Sequence, residues 1–115
     1  MHELGLLRGV VRAVEAAAAK AGAAAVERVG LRVGELSGAV PEALRGAWPI
    51  ATAGSRLAGA TLEIEQVGAA IHCQGCHCDQ PVDQFYALRC PACGAPCGNL
   101  VHGREFEVAF ADARL

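Results

Sequence analysis

The sequence predicts an α+β fold: two helices packed on a small three-stranded sheet, with a four-cysteine module inserted before the last strand. Three observations predict it. Apolar residues recur at helical steps in two segments, and they alternate at strand period in three others. Two Cys-x-x-Cys pairs, Cys73/Cys76 and Cys90/Cys93, then fall between the last two strands.

Residues 3–21 read as an amphipathic helix. Leu4, Leu7, Val11, Val14, Ala18 and Ala21 share one side, and Arg8, Arg12 and Glu15 lie on others. The alanine run 16–19 favours helix, and Gly22 is a suitable stop. Residues 26–36 read as a half-buried strand, with Val29, Leu31 and Val33 alternating against Arg28, Gly30 and Arg32. Ser37-Gly38 ends it. Pro41 suits the first turn of a second helix and Glu42 its positive end. Leu44, Trp48 and Ile50 give that helix an apolar side; Pro49 removes a backbone donor and is expected to kink or shorten it.

Residues 60–67 alternate again, Leu62 and Ile64 against Glu63 and Glu65. The last strand, 104–110, sets Phe106, Val108 and Phe110 against Glu105 and Glu107. The expected division is an α+β part formed by residues 1–68 plus 104–115, and a metal-binding module at 69–103. A chain of 115 residues has a modest core, which a structural metal would offset.

Each Cys-x-x-Cys pair places two thiolates on one tight turn, with Gly75 and Gly94 available for the turns. Two such turns facing each other make a tetrahedron of sulfur, which selects zinc or, less often, iron. Four thiolates leave no open position, so the site builds structure rather than activating water. The module's Ile71, Val82, Phe85, Tyr86 and Leu88 are too few to fold it alone, so zinc binding supplies much of its folding energy. Cys78 and Cys97 read either as spare thiols or as sites of ligand exchange or redox sensitivity. His72, His77 and His102 read either as exposed loop residues or as groups that replace or hydrogen-bond a thiolate.

Cys73-Gln74-Gly75-Cys76-His77 also fits a c-type haem attachment pattern, but haem would leave Cys90 and Cys93 unexplained. A rubredoxin-like iron site is a further alternative. A zinc-ribbon module for RNA, DNA or protein is another, although only Arg89 and Arg104 lend it basic charge. The net charge of −2 counts against a dedicated nucleic-acid binder. No stretch is long and apolar enough to span a membrane, and Met1-His2-Glu3 does not open a secretory signal. A cytoplasmic location is expected, where six cysteines favour metal over disulfides. No nucleophile–base pair or open catalytic metal site is legible, so no enzyme is expected.

His2 follows the initiating residue, so its imidazole, its amide nitrogen and the terminal amine of Met1 can wrap one ion in fused rings. The Glu3 amide completes a plane of four nitrogens, which suits Ni(II) or Cu(II) rather than zinc. The alternative is a solvated histidine at a frayed end.

The two features together resemble the HypA/HybF family of hydrogenase maturation nickel metallochaperones. The matching residues are Met1-His2-Glu3-Leu4, Val33-Gly34-Glu35-Leu36, Val40-Pro41-Glu42 with Leu44, and Ala60-Thr61-Leu62-Glu63-Ile64-Glu65. Cys73, Cys76, Cys90 and Cys93 follow, then Gly103-Arg104-Glu105. The resemblance spans essentially the whole chain. It implies that His2, Met1 and Glu3 bind Ni(II) as transient cargo and that the four cysteines hold structural Zn(II). It also implies delivery to the large subunit of [NiFe]-hydrogenase with the GTPase partner HypB, some members also serving urease. No nucleic-acid or membrane partner is expected, and the chain is expected to be a monomer or weak homodimer. Trp48-Pro49 departs from the family pattern, which bears on the length of the second helix, and Cys78 and Cys97 are additions to it.

Overall fold

The chain is described by a computed structural model that covers residues 2–82 and 88–115; Met1, Phe85 and Tyr86 therefore lie outside the described residues. The elements in order are α1 (His2–Lys20), β1 (Ala25–Gly34), α2 (Pro41–Thr52), β2 (Thr61–Val67), β3 (Ala70–Cys73), β4 (Cys78–Pro81), β5 (Leu100–His102) and β6 (Phe106–Arg114). They form two three-stranded sheets, β2-β1-β6 and β4-β3-β5. The α+β class is the expected one, and the cysteine segment carries a small sheet of its own.

Helix α1 buries Leu7, Val10, Val11, Val14 and Ala18 against Val29, Leu31 and Val33 of β1 and Leu44 and Trp48 of α2. The expected apolar face is turned slightly: Glu3 is buried and Leu4 half-buried, while Ala21 is exposed. In α2 the helix runs through Pro49 and ends one turn later at Thr52, whose hydroxyl donates to the Trp48 carbonyl at 2.9 Å. Pro49 lacks the donor that would reach the Arg45 carbonyl, yet the helix continues for three residues beyond it. Ile50, expected on the apolar side, points outward and is 61% exposed. Trp48 is held by its indole N–H, which donates to the Ala60 carbonyl at 2.8 Å.

Strand β1 is central. It pairs in parallel with β2, which is possible because α2 supplies the crossover between them. It pairs antiparallel with β6, with a register shift between Gly30 and Leu31. That shift corrects the expected alternation of the last strand. Phe106 and Val108 sit opposite Val33 and Leu31, but Ala109 is the extra residue and Phe110 falls opposite Gly30. Its ring therefore lies on the outer face, 4.9 Å from the Arg28 guanidinium carbon. A Cβ at position 30 would run into the Phe110 ring, so the absent side chain makes room for it. On the same outer face Arg28 bridges Glu63 and Asp112, each at 2.7 Å, and Arg32 meets Glu107 at 2.9 Å. Such exposed pairs contribute little singly and set register more than stability.

Overall dimensions are 53 × 28 × 16 Å, with a radius of gyration of 17.4 Å. A compact chain of this length would have about 13 Å. The excess is consistent with the cysteine segment extending from the α+β layers. Its root is tightly hydrogen-bonded: the Gly34 N–H donates to the Glu105 carbonyl at 2.7 Å and the Leu36 N–H to the Gly103 carbonyl at 2.6 Å. A Cβ on Gly34 would collide with the Gly103 backbone, which is pinned from both sides. Gly34→Ala is expected to lower stability by about 1–3 kcal/mol, the usual cost of forcing volume into a packed site, seen as a lower chemical-denaturation midpoint. An unchanged midpoint would mean that this junction yields freely.

Candidate metal centres

Cys73 ends β3 and faces Cys78 across the β3–β4 hairpin. The first Cys-x-x-Cys turn lies between them. Its left-handed residue is His77 (φ 54°), not Gly75 as the composition suggests. The second turn does use its glycine: Gly94 has φ 75° and its N–H donates to the Cys90 carbonyl at 2.7 Å. The two turns bring the sulfurs of Cys73, Cys76, Cys90 and Cys93 within 4.8 Å of one another. Cys73 and Cys93 are 3.6 Å apart, Cys76 and Cys90 3.8 Å. A tetrahedron with Zn–S near 2.3 Å has edges of about 3.8 Å, so the donor set fits zinc.

The electrostatics of the cluster call for a cation. The Cys76 N–H donates to the Cys73 sulfur at 3.4 Å and, with the neighbouring thiols, draws the Cys73 thiol down to about 6. Cys76, hydrogen-bonded to Cys90 and Cys73, is pushed up to about 12. Cys93 is lowered by the Ala95 backbone but raised on balance by Cys73, Cys90 and burial. The Cys73 thiolate forms readily, while Cys76 and Cys93 hold their protons in hydrogen bonds to neighbouring sulfurs. A divalent ion at the centre takes the place of those protons.

Around the cluster, Cys73 and Cys90 are buried with Ile71 and Cys97, while Cys93 is exposed. Cys78 is exposed and accepts a bond from Gln80 at 3.2 Å. Burial first, and then the facing Cys73, push the Cys97 thiol up. His72 pairs with Asp79 at 2.9 Å, and His77 is exposed. Leu88, expected to help the module's core, is 42% exposed.

His102 and Glu105 form a pair at the root of the module, Nδ1 to Oε2 at 2.8 Å. The other Glu105 oxygen accepts the Gly103 N–H at 2.6 Å. The His102 bond first, then the Gly103 and Glu105 N–H groups, hold the Glu105 carboxyl at about 2 against an ordinary 4.5. A depressed carboxyl pKa stabilises the fold above the ordinary value and loses that contribution as pH falls toward the folded value. The wild type is therefore expected to be more stable than Glu105→Gln near neutrality. Denaturation midpoints should show this difference shrinking between about pH 4.5 and 2. A pH-independent difference would show that the charge plays no part.

At the other end, His2 opens α1 with its side chain 57% exposed. Its Nδ1 lies 3.6 Å from a Glu3 carboxylate oxygen. The second Glu3 oxygen accepts the Val40 N–H at 3.2 Å. Val40 precedes α2 and has no side-chain cap there, so Glu3 satisfies a donor at one helix start from the first turn of the other. Glu3 is held below the ordinary carboxylate range, first by its own backbone N–H and then by Val40. The Met1 amine lies outside the described residues. The first amides of α1 have no partner four residues back, so a metal can take them without breaking a helical bond.

Residues 35–40 link this terminus to the root of the module. The Glu35 carboxylate accepts the Ala69 N–H at 2.5 Å, and Val40 meets Glu3. Neither Glu3 nor Glu35 is identifiable as a tertiary anchor from sequence, because each partner lies more than thirty residues away.

Among the described residues no helix is long and apolar enough to cross a membrane. Residues 1–112 match the family described as HypA, hydrogenase/urease nickel incorporation, metallochaperone. A hydrogenase maturation factor HypA from Roseiflexus is 46% identical over 109 residues, covering 95% of this chain and 89% of the relative. One from Chloroflexus aggregans is 43% identical over 108 residues, covering 94% and 95%. The solution structure of the Ni metallochaperone HypA from Helicobacter pylori has a TM-score of 0.67 at 19% identity, covering 97% of each chain. A solution structure of HypA protein has a TM-score of 0.72 at 21% identity, covering 98% of this chain and 96% of the other. These two likenesses carry the fold.

Proposed function

The chain belongs to the HypA family of hydrogenase/urease nickel-incorporation metallochaperones, and from that premise we propose that it captures Ni(II) at its amino terminus and passes it on during maturation of the [NiFe]-hydrogenase large subunit. The Met1 amine, the His2 amide and imidazole and the Glu3 amide are the nickel donors. Cys73, Cys76, Cys90 and Cys93 hold a structural zinc. The GTPase HypB and the hydrogenase large subunit are the partners, and the site of action is the cytoplasm.

The observation that carries this reading is the placement of His2 and Glu3. The imidazole is exposed at the first turn of α1, while the Glu3 carboxylate ties that turn to Val40. The metal position is thus anchored but open to a docking partner. Ligation by two deprotonated amides cancels the charge of Ni(II), so a cation can sit at the positive end of a helix. A planar set of nitrogens selects nickel over zinc by geometry, where raw affinity separates the two poorly. Transfer proceeds by ligand exchange, the partner's donors replacing the nitrogens one at a time.

The test is metal analysis of untagged protein at several pH values. One zinc and, on addition, one nickel per chain are expected. Nickel binding should release protons and tighten as pH rises, because the amine and amides must lose theirs. A peptide extension ahead of Met1 removes the free amine and should remove nickel binding while leaving zinc. Nickel uptake that survives the extension would refute terminal ligation.

A further inference from the structure

Cys97 stands outside the four sulfurs that lie within 4.8 Å of one another, yet it is not a surface thiol. It is 7% exposed and packs in the same buried cluster as Ile71, Cys73 and Cys90. Its backbone is pinned, the N–H donating to the Leu88 carbonyl at 2.7 Å, and its thiol donates to the Ala95 carbonyl at 3.4 Å. A cavity of about 290 Å³ is lined by both Cys73 and Cys97, with His72 and Asn99 on its walls. Cys97 thus borders open space that it shares with the ligand Cys73. By contrast Cys93, one of the four, is exposed to solvent. The cluster thus has an exposed ligand in Cys93 and a sheltered fifth thiol next to it in Cys97. Cys78 offers no such reserve, since it is exposed and bonded to Gln80.

We propose that Cys97 is a reserve zinc ligand that completes the four-thiolate shell when Cys93 is lost from it. The inference rests on the reading of Cys73, Cys76, Cys90 and Cys93 as a zinc site. In the exchange the Zn–S bond to Cys93 breaks, a Zn–S bond to Cys97 forms, and the Cys97 proton passes to the departing Cys93 sulfur. No electrons are transferred and the ion keeps four thiolates. Zinc imposes no directional preference from its filled d shell, so it can shift toward Cys97 without penalty from its own electronic structure.

The experiment compares the full-length wild type with Cys93→Ala, Cys97→Ala and the double variant. Zinc content and affinity are measured by chelator competition. Co(II) is then substituted, because the intensity of its sulfur charge-transfer band counts thiolates. Cys97→Ala alone should bind zinc like the wild type. Cys93→Ala should keep one metal and a four-thiolate cobalt band. The double variant should fall to three thiolates and bind at least about 100-fold more weakly than Cys93→Ala, more than an outer-shell contact is worth. A three-thiolate band in Cys93→Ala, or equal affinities of that variant and the double, would overturn the proposal. So would loss of zinc on Cys97→Ala alone, which would make Cys97 an ordinary structural residue. A wild type that holds no zinc would instead remove the four-cysteine reading itself.

Discussion

His2→Ala is expected to abolish Ni(II) binding measured by calorimetry, while one zinc per chain remains. The substitution removes the imidazole and opens the chelate ring it closes, leaving the amine and amides. Changes in groups that merely orient a metal ligand cost about 10–100-fold in affinity, so loss of a ligand should cost at least about 100-fold. The fold should be untouched, because the His2 side chain is mostly exposed and lies outside the buried cluster of α1, β1 and α2. Unchanged nickel affinity would place the cargo elsewhere. Glu3→Gln gives a graded comparison. It keeps the amide but removes the carboxylate charge facing His2 and Val40. A loss of about tenfold is expected, as for an orienting partner.

Cys73→Ser should unfold the cysteine module and leave the helical part standing. Cys73 is 1% exposed and its sulfur is central to the cluster, so serine offers a harder, shorter ligand at a position that cannot adjust. Among the described residues the module's cluster is Ile71, Cys73, Cys90 and Cys97, with Cys76, Val82 and Leu100 packed against it. That is too little apolar surface to fold about thirty residues, whereas structural zinc contributes about 10–16 kcal/mol in small zinc-binding peptides. The larger cluster, from Leu7 to Ala60, shares no residue with it. Circular dichroism should therefore keep its helical signal while amide protection at Ile71 and His72 is lost. Loss of both together would show one cooperative unit, joined through the bonds of Gly34, Glu35 and Leu36 to the root of the module.

The candidate ligands were legible because they are neighbours in sequence. Two cysteines three residues apart lie on one turn whatever the rest of the chain does, and the proposed nickel donors are adjacent residues of one backbone segment. The element order was legible for a similar reason, since apolar period distinguishes helix from strand locally. What failed was also informative. Phe110 was expected on the face of Phe106 and Val108, and Ile50 on the face of Leu44. The first was reversed by a bulge that uses the missing side chain of Gly30, and the second lies beyond Pro49, near the end of the helix.

The sequence alone determined the pairing of cysteines that builds the four-sulfur cluster and the helix-strand order of the α+β layers, because spacing and periodicity are properties of adjacent residues. Only the tertiary structure decided that β1 pairs in parallel with β2 and that β6 lies on its other side. It also decided that Glu3 reaches Val40, that Glu35 reaches Ala69, and that Cys97 sits buried beside Cys73 while Cys93 faces solvent. The physical reason is distance along the chain. A carboxylate chooses a partner 34 or 37 residues away only when packing has brought that unsatisfied donor within reach, and no local pattern encodes the meeting.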